Sequence, residues 1–182
     1  ADLNSSLPVE DILAHESPVT LSGTPEGLDA YALAQMAIAL AAKSENQPAA
    51  IIHVARDDKR MAALRAGLRL FGAGKVRTIV FPAWDCVPSD RISPKTDLSS
   101  RRLAAMAELV RLTKAGGDKA AIVLTSVNAA VQKVPPRAFI EDVVLRLAVG
   151  ESYGLDDLSQ RLEASGYIRT GNVMEPGEYA LR

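Results

Sequence analysis

The chain has 182 residues, of which 48% are hydrophobic, so it can form a substantial core and its composition is not that of a disordered protein. Its 21 basic and 22 acidic residues give a net charge of −1, which argues against a stand-alone DNA-binding domain, because such domains usually carry a basic excess. Cys86 is the only cysteine, which excludes an internal disulfide, and the longest apolar run is too short to cross a bilayer, so we predict a cytoplasmic protein with no membrane contact.

Predicted helices alternate with short apolar strands over the first 142 residues. In chain order these are a helix at 7–14, a strand at 19–21, a helix at 24–43, a strand at 49–54, a helix from Asp57 or Asp58 to Phe71, a strand at 77–81, a helix at 97–115 with Asp97 as its N-cap, a strand at 120–125 and a helical turn at 127–131. Continuous apolar strands between helices are typical of a parallel sheet that is covered on both faces. We therefore predict an α/β domain of the P-loop type over residues 1–142.

The pattern changes after Pro135 and Pro136. The predicted elements are then a strand at 143–149, a helix at 155–165, and strands at 168–174 and 178–182 on either side of a turn at 175–177. We predict an incomplete α+β domain over residues 143–182. The free edge of its terminal strand would be open to pairing with another chain, so self-association is expected.

The turn at residues 22–29 stands where nucleotide-binding α/β proteins have a phosphate loop. That loop has the pattern G-x-x-x-x-G-K-[ST], and its lysine contacts the phosphates. Gly23 and Gly27 are present here, but the lysine and the hydroxyl residue are absent, and Glu26 and Asp29 put carboxylates where a triphosphate would lie. Because two like charges about 4 Å apart cost roughly 1 kcal/mol even in water, we predict that this degenerate loop binds no nucleotide.

The connector between the strand at 77–81 and the helix at 97–115 contains three prolines and the only tryptophan, Trp84. Proline fixes φ, so this connector is expected to be extended and rigid. Residues 81–103 have the pattern F-P-x-W-D-x-x-P-x-D-x-x-S-P-x-x-D-x-x-S-x-R-L. This resembles the signature of the bacterial transcription-repair-coupling factors (Mfd), although Ser89 replaces a usual tyrosine and Lys95 a frequent histidine. Further matches follow in the family's order at 127–129, 135–136, 166–167 and 175–182.

The resemblance implies a degenerate RecA-like domain, related to the excision-repair protein UvrB, followed by the first part of a UvrA-binding-like domain. The parent proteins are ATP-dependent DNA translocases that release stalled RNA polymerase at lesions and recruit UvrA for nucleotide excision repair. ATP, Mg²⁺, RNA polymerase and DNA would be bound by parts of the parent that this chain lacks, so we expect a non-catalytic module without a cofactor or metal. The resemblance places Arg182, with Glu178 and Tyr179, on the UvrA contact, and an arginine fork suits a carboxylate partner.

Two other functions stay open from the residues alone. One is a nucleotide-binding enzyme domain with an atypical phosphate loop. The other is a weak DNA-binding module that uses the cations of the connector and the following helix, which are Arg91, Lys95, Arg101 and Arg102. The two histidines, His15 and His53, have no partners at metal-ligand spacing. We expect Trp84 to anchor the connector to the edge of the sheet.

Overall fold

The structure is a computed structural model, and it describes residues 7–44, 49–86, 94–114, 120–175 and 177–181. The chain divides into two compact units, Ala1–Val134 and Pro135–Arg182, which are described separately. The predicted boundary near residue 142 falls inside a helix of the second unit, whereas the division lies at the predicted break in pattern, directly before Pro135.

The first unit is a parallel α/β layer structure, as the alternating pattern predicts. Its described elements are α1 (Val9–Ala14), α2 (Leu28–Lys43), β1 (Ala50–Ala55), α3 (Asp58–Phe71), β2 (Val76–Phe81), α4 (Thr96–Lys114), β3 (Ala120–Ser126) and α5 (Val127–Ala130). The strand order is β1-β3-β2, and both neighbours run parallel to β3. The mixed α/β fold class with a parallel sheet is therefore confirmed.

The central strand β3 forms the middle of the core, and all seven of its residues are buried. On one face of the sheet, Ile122 and Leu124 pack with Leu64 and Leu68 of α3 and with alanines of α2. On the other face, residues of β2 and β3 pack against α4. This coverage on both faces explains why the first five residues of the central strand are all apolar.

Three local predictions for the first unit are wrong. Residues 19–21 form no strand, because no described segment pairs with their backbone, and the side chains of Val19 and Leu21 are exposed. The helix predicted from residue 24 begins at Leu28, since Gly27 has a φ of 94°, which a right-handed helix does not accept. Asp97 is not an N-cap but lies in the first turn of α4, where it pairs with Arg101. The predicted end of that helix and residues 87–93 of the connector lie outside the described residues.

The second unit contains α6 (Arg137–Val143), α7 (Leu155–Ala164), β4 (Ile168–Arg169) and β5 (Glu178–Tyr179). The strands β4 and β5 pair in parallel over two residues each and are shorter than predicted. The predicted strand at 143–149 is wrong: its first residue ends α6, and no described segment pairs with the backbone of the others. Leu147 and Val149 are exposed. Within the described ranges of both units, no helix is long and apolar enough to span a membrane.

Candidate functional site: the turn before α2 and the second unit

The turn that resembles a phosphate loop lies before α2, and the first turn of α3 reaches it. Asp57 caps α3 by accepting a hydrogen bond from the backbone N–H of Arg60 at 2.8 Å. This bond lowers the pKa of Asp57, and the side chain of Arg56 adds to the effect. The cap fixes the first turn of α3, and Arg60 projects from that turn toward the start of α2.

Asp29 takes the position of an anion at the start of α2. Its Oδ1 accepts from the backbone N–H of Ala30 at 2.9 Å, and its Oδ2 accepts from Nη2 of Arg60. The other terminal nitrogen of Arg60, Nη1, donates to Oε1 of Glu26 at 3.2 Å. A helix N-terminus and a guanidinium are the groups that normally hold a phosphate, and here both hold a carboxylate of the chain itself.

The two glycines of the turn allow its backbone to adopt positive φ angles. Gly23 and Gly27 have φ values of 69° and 94°, in the left-handed region that favours glycine. A Cβ added at either position would meet no atom within 4 Å, so neither glycine is required by close packing.

Arg60 is the residue that sequence reasoning missed at this site. A cation in the first turn of a helix interacts unfavourably with the positive end of the helix dipole. Its presence there indicates that an acidic partner lies nearby. The partners are 31 and 34 positions away in the sequence, so the pattern alone did not identify them.

The charges of Asp29 and Arg60 also affect the pKa of His53 in β1. Burial lowers the pKa of His53, the Asp29 carboxylate opposes this shift, and the charge of Arg60 contributes to it. His53 is therefore held toward its neutral form. Within the described part of the chain, no group of three or more His, Cys, Asp or Glu side chains is placed to hold a metal ion.

The connector is anchored by Arg102, which is 1% exposed. The centre of its guanidinium lies 4.4 Å from the ring centroid of Phe81 and 4.5 Å from that of Trp84. Its Nη1 donates to the carbonyl of Pro82 and to Oε1 of Gln132, and the latter oxygen also accepts from the backbone N–H of Trp84 at 2.8 Å. Burial lowers the pKa of Arg102.

The burial of Arg102 removes one cation from the predicted basic cluster. Arg102 cannot contact DNA phosphates without leaving its site, and Arg101 is paired with Asp97 at 2.7 Å. Lys95 remains exposed, while Arg91 lies outside the described residues. The described cations of the cluster therefore do not form one continuous basic surface.

In the second unit, two of the predicted partner-binding residues have structural contacts. Tyr179 is 8% exposed and donates its hydroxyl to Oε1 of Glu163 in α7 at 2.6 Å, and this bond raises the pKa of Tyr179. Oε2 of Glu178 accepts from the backbone N–H groups of Met174 and Glu175 at 2.7 and 3.1 Å. Arg182 lies outside the described residues, and the partner-binding role of all three stays a prediction.

The second unit exposes many large apolar side chains. The helix α7 contains no buried residue. The most exposed of these side chains in the unit, from 53% upward, are Phe139, Leu147, Val149, Leu155, Ile168 and Met174. Exposed apolar side chains of this size can contribute area to a contact with another protein.

The fold is thus that of an α/β protein with a parallel sheet, in which the carboxylate of Asp29 at the start of α2 is paired with Arg60 of α3. No protein-family model matches the chain. Curated relatives are found, and they include the transcription-repair-coupling factors of Haemophilus influenzae, 29% identical over 86% of this chain, and of Myxococcus xanthus, 31% identical over 74% of it. The Escherichia coli protein of the same name is 31% identical over 54% of this chain.

These matches confirm the resemblance that the connector pattern indicates, and the chain is a relative of the transcription-repair-coupling factors. The matched regions cover 12%, 8% and 11% of those three relatives, so the chain spans about a tenth of their length.

Proposed function

We propose that this chain is a non-catalytic docking module of a transcription-repair-coupling factor. The observation that supports this most directly is the carboxylate of Asp29 at the start of α2, held by Ala30 and Arg60. A module whose ancestral anion site is filled from within has lost the means to bind ATP, so its remaining function is to present surfaces to other macromolecules.

The electrostatics of the turn argue against a nucleotide. A phosphate at the start of α2 would have to displace Asp29 from the N–H of Ala30 and break both ion pairs of Arg60. The displaced carboxylates of Asp29 and Glu26 would then repel the phosphate at short range. We propose that the chain uses neither ATP nor Mg²⁺, and that these belong to motor domains elsewhere in a full-length protein.

The second unit is the proposed docking surface. Its exposed apolar side chains would supply contact area, and Arg182, which follows β5 in the sequence, would supply a charged anchor. By resemblance, the partner is UvrA, which the full-length protein recruits to DNA lesions in the cytoplasm. Contacts with RNA polymerase and DNA are assigned to other parts of that protein.

Nucleotide binding is tested by titrating Mg-ATP into the chain in a calorimeter. We expect no saturable heat, because the anion site is occupied by Asp29. A dissociation constant in the micromolar range would contradict the proposal for the first unit. The Asp29→Ser variant, which removes the carboxylate from the helix N-terminus and one of the two ion pairs of Arg60, shows whether the internal carboxylate is the cause, since any gain of phosphate binding would appear there first.

Docking is tested by capture of purified UvrA, with the chain compared with its Arg182→Glu variant. We expect strong loss of capture on charge reversal, because the arginine fork would face a carboxylate. Lys59→Glu, an exposed charge reversal in the first unit, is the matched control and should leave capture unchanged. Equal capture by the unsubstituted chain and by the Arg182→Glu variant would remove Arg182 from the contact.

A further inference from the structure

The segment between β4 and β5 of the second unit is organised by one side chain, that of Glu178. Its Oε2 accepts hydrogen bonds from two consecutive backbone N–H groups, those of Met174 at 2.7 Å and of Glu175 at 3.1 Å. The backbone N–H of Glu178 in turn donates to the carbonyl of Glu175 at 3.3 Å. Because hydrogen bonds to an ionised acceptor are stronger than neutral ones, this carboxylate fixes the backbone at Met174 and Glu175.

The other end of this segment is fixed at Thr170. The backbone N–H of Thr170 donates to the carbonyl of Tyr179 in β5 at 2.9 Å, and its Oγ1 donates to the carbonyl of Asn172 at 3.2 Å. Hydrogen bonds therefore hold the backbone on both sides of Val173 and Met174, whereas these two residues remain 50% and 79% exposed. Two apolar side chains are thus presented to solvent on an ordered backbone.

We propose that Glu178 is a positioning residue for docking: it acts through the backbone of this segment, and the side chains of Val173 and Met174 touch the partner. The inference rests on the proposed function, because it concerns the same partner and the same unit. A methionine side chain is unbranched and polarisable, so it can fill an apolar cavity of the partner. An ordered backbone strengthens such a contact, because less conformational freedom is lost on binding.

A direct ionic contact between Glu178 and the partner is the alternative. A cation of the partner that bound Oε2 would compete with two backbone N–H groups for the same oxygen and would loosen the segment that they fix. The neighbouring Tyr179 is also engaged within the unit, since it is 8% exposed and its hydroxyl donates to Glu163. The internal bonds of both side chains therefore favour a supporting role over a direct contact.

The role of the carboxylate is tested by measuring the dissociation constant for purified UvrA in two variants of Glu178. Glutamine still offers a neutral oxygen to the two N–H groups, so Glu178→Gln should keep the affinity within about threefold, whereas Glu178→Ala should lose at least about tenfold. Amide exchange at Met174 and Glu175 should accelerate markedly in Glu178→Ala. Glu175→Ala is the matched control, because it removes an exposed carboxylate from the same segment and leaves the acceptor in place.

The apolar contact is tested separately, so that the inference does not depend on the folding of Glu178→Ala. Met174→Gln makes the exposed side chain polar without touching the acceptor, and it should weaken UvrA binding at least about fivefold while amide exchange in the segment stays unchanged. Met174→Leu should restore the affinity to within about threefold. Leu70→Gln, the same kind of substitution at a side chain of the first unit that is 72% exposed, should have no effect.

The outcomes separate this inference from the proposed function. Equal losses in Glu178→Gln and Glu178→Ala would indicate a direct ionic contact and overturn the positioning role. Unchanged affinity in Glu178→Ala or in Met174→Gln would also overturn it, while docking by the second unit would stand. If the unsubstituted chain does not bind UvrA at all, the proposed function is wrong and this inference is wrong with it.

Discussion

Arg102 shows how a single residue can combine a role in stability with a place in a family pattern. Its guanidinium is stacked between Phe81 and Trp84 and bonded to the Pro82 carbonyl, so it joins the end of β2 to the connector. No carboxylate among the described residues contacts it. Rings and neutral acceptors can hold a buried arginine because the guanidinium is planar and weakly hydrated.

Replacement of this arginine by alanine should destabilise the first unit. We expect Arg102→Ala to lower the free energy of unfolding by about 2–4 kcal/mol, because it opens a cavity and removes the donor from two part-buried acceptors. The neighbouring exposed residue gives the matched control: Arg101→Ala should change stability by no more than about 0.5 kcal/mol. Urea unfolding of both variants measures the difference. Similar effects of the two substitutions would show that the stacked arrangement contributes little.

His53 makes the free energy of unfolding decrease as the pH falls. Its pKa in the folded chain lies below the ordinary value of 6.5, so the unfolded chain takes up the proton first as the pH falls. The stabilisation that depends on neutral His53 is therefore fully present above pH 6.5. It is lost progressively as the pH falls from 6.5 to the lower pKa of the folded chain.

The prediction is a urea midpoint that decreases between about pH 7 and pH 5, and a smaller decrease in His53→Gln. His15→Gln removes the other histidine, which is exposed, and should keep the slope of the unsubstituted chain. If His53→Gln has the same slope as the unsubstituted chain, the pH dependence comes from other groups.

At the scale of elements, α2 and α3 approach closely at one point. A Cβ added to Gly67 of α3 would lie 2.6 Å from the Cβ of Ala30 in α2, which is far inside van der Waals contact. Glycine at this position therefore permits the contact between the helices that carry Asp29 and Arg60.

Gly67→Ala should destabilise the fold although alanine is the better helix former. Overpacking costs about 1–3 kcal/mol, and the gain in helix propensity offsets at most about 1 kcal/mol of it. The double variant Ala30→Gly/Gly67→Ala moves the methyl group from one helix to the other and should recover most of the loss. Thermal unfolding of the single and double variants measures this. Additive effects of the two substitutions would contradict the close approach.

The elements that the sequence predicts well are those with local signals. The helix α3 has Asp57 as its cap and Gly72 after its last residue, and its observed bounds agree with the prediction. Strand predictions at 19–21 and 143–149 failed for one common reason: alternating or apolar residues favour a strand, but a strand exists only where another chain segment supplies the ladder. That partner is a non-local property that the pattern does not contain.

The same distinction applies to the candidate site. The absence of the lysine and the presence of Glu26 and Asp29 can be read from the sequence of the turn itself, so its acidic character was predictable. Arg60 and the stacking of Arg102 on Phe81 and Trp84 depend on long-range packing, and sequence reasoning assigned Arg102 to an exposed basic cluster instead. The residue types indicated charge correctly, but only the fold determines which charges are buried or paired.

At the scale of the whole molecule, the two units differ in how much core they contain. Among the residues that the structure describes, the first unit holds two clusters of buried apolar side chains, whereas the buried side chains of the second unit are Ile140 and Tyr179. A unit with little buried apolar area opens at low free-energy cost, which suits a surface that completes its packing against a partner.

Hydrogen exchange measures this difference directly. We expect the backbone amides of β3 to exchange slowest, at the free energy of global unfolding, because this strand is buried and hydrogen-bonded on both sides. The amides of α7 should exchange much faster, since none of its residues is buried. Addition of UvrA should then slow exchange in the second unit while leaving β3 unchanged. Protection of α7 equal to that of β3 in the free chain would mean that the second unit is already fully packed, and its role as an incomplete docking surface would be wrong.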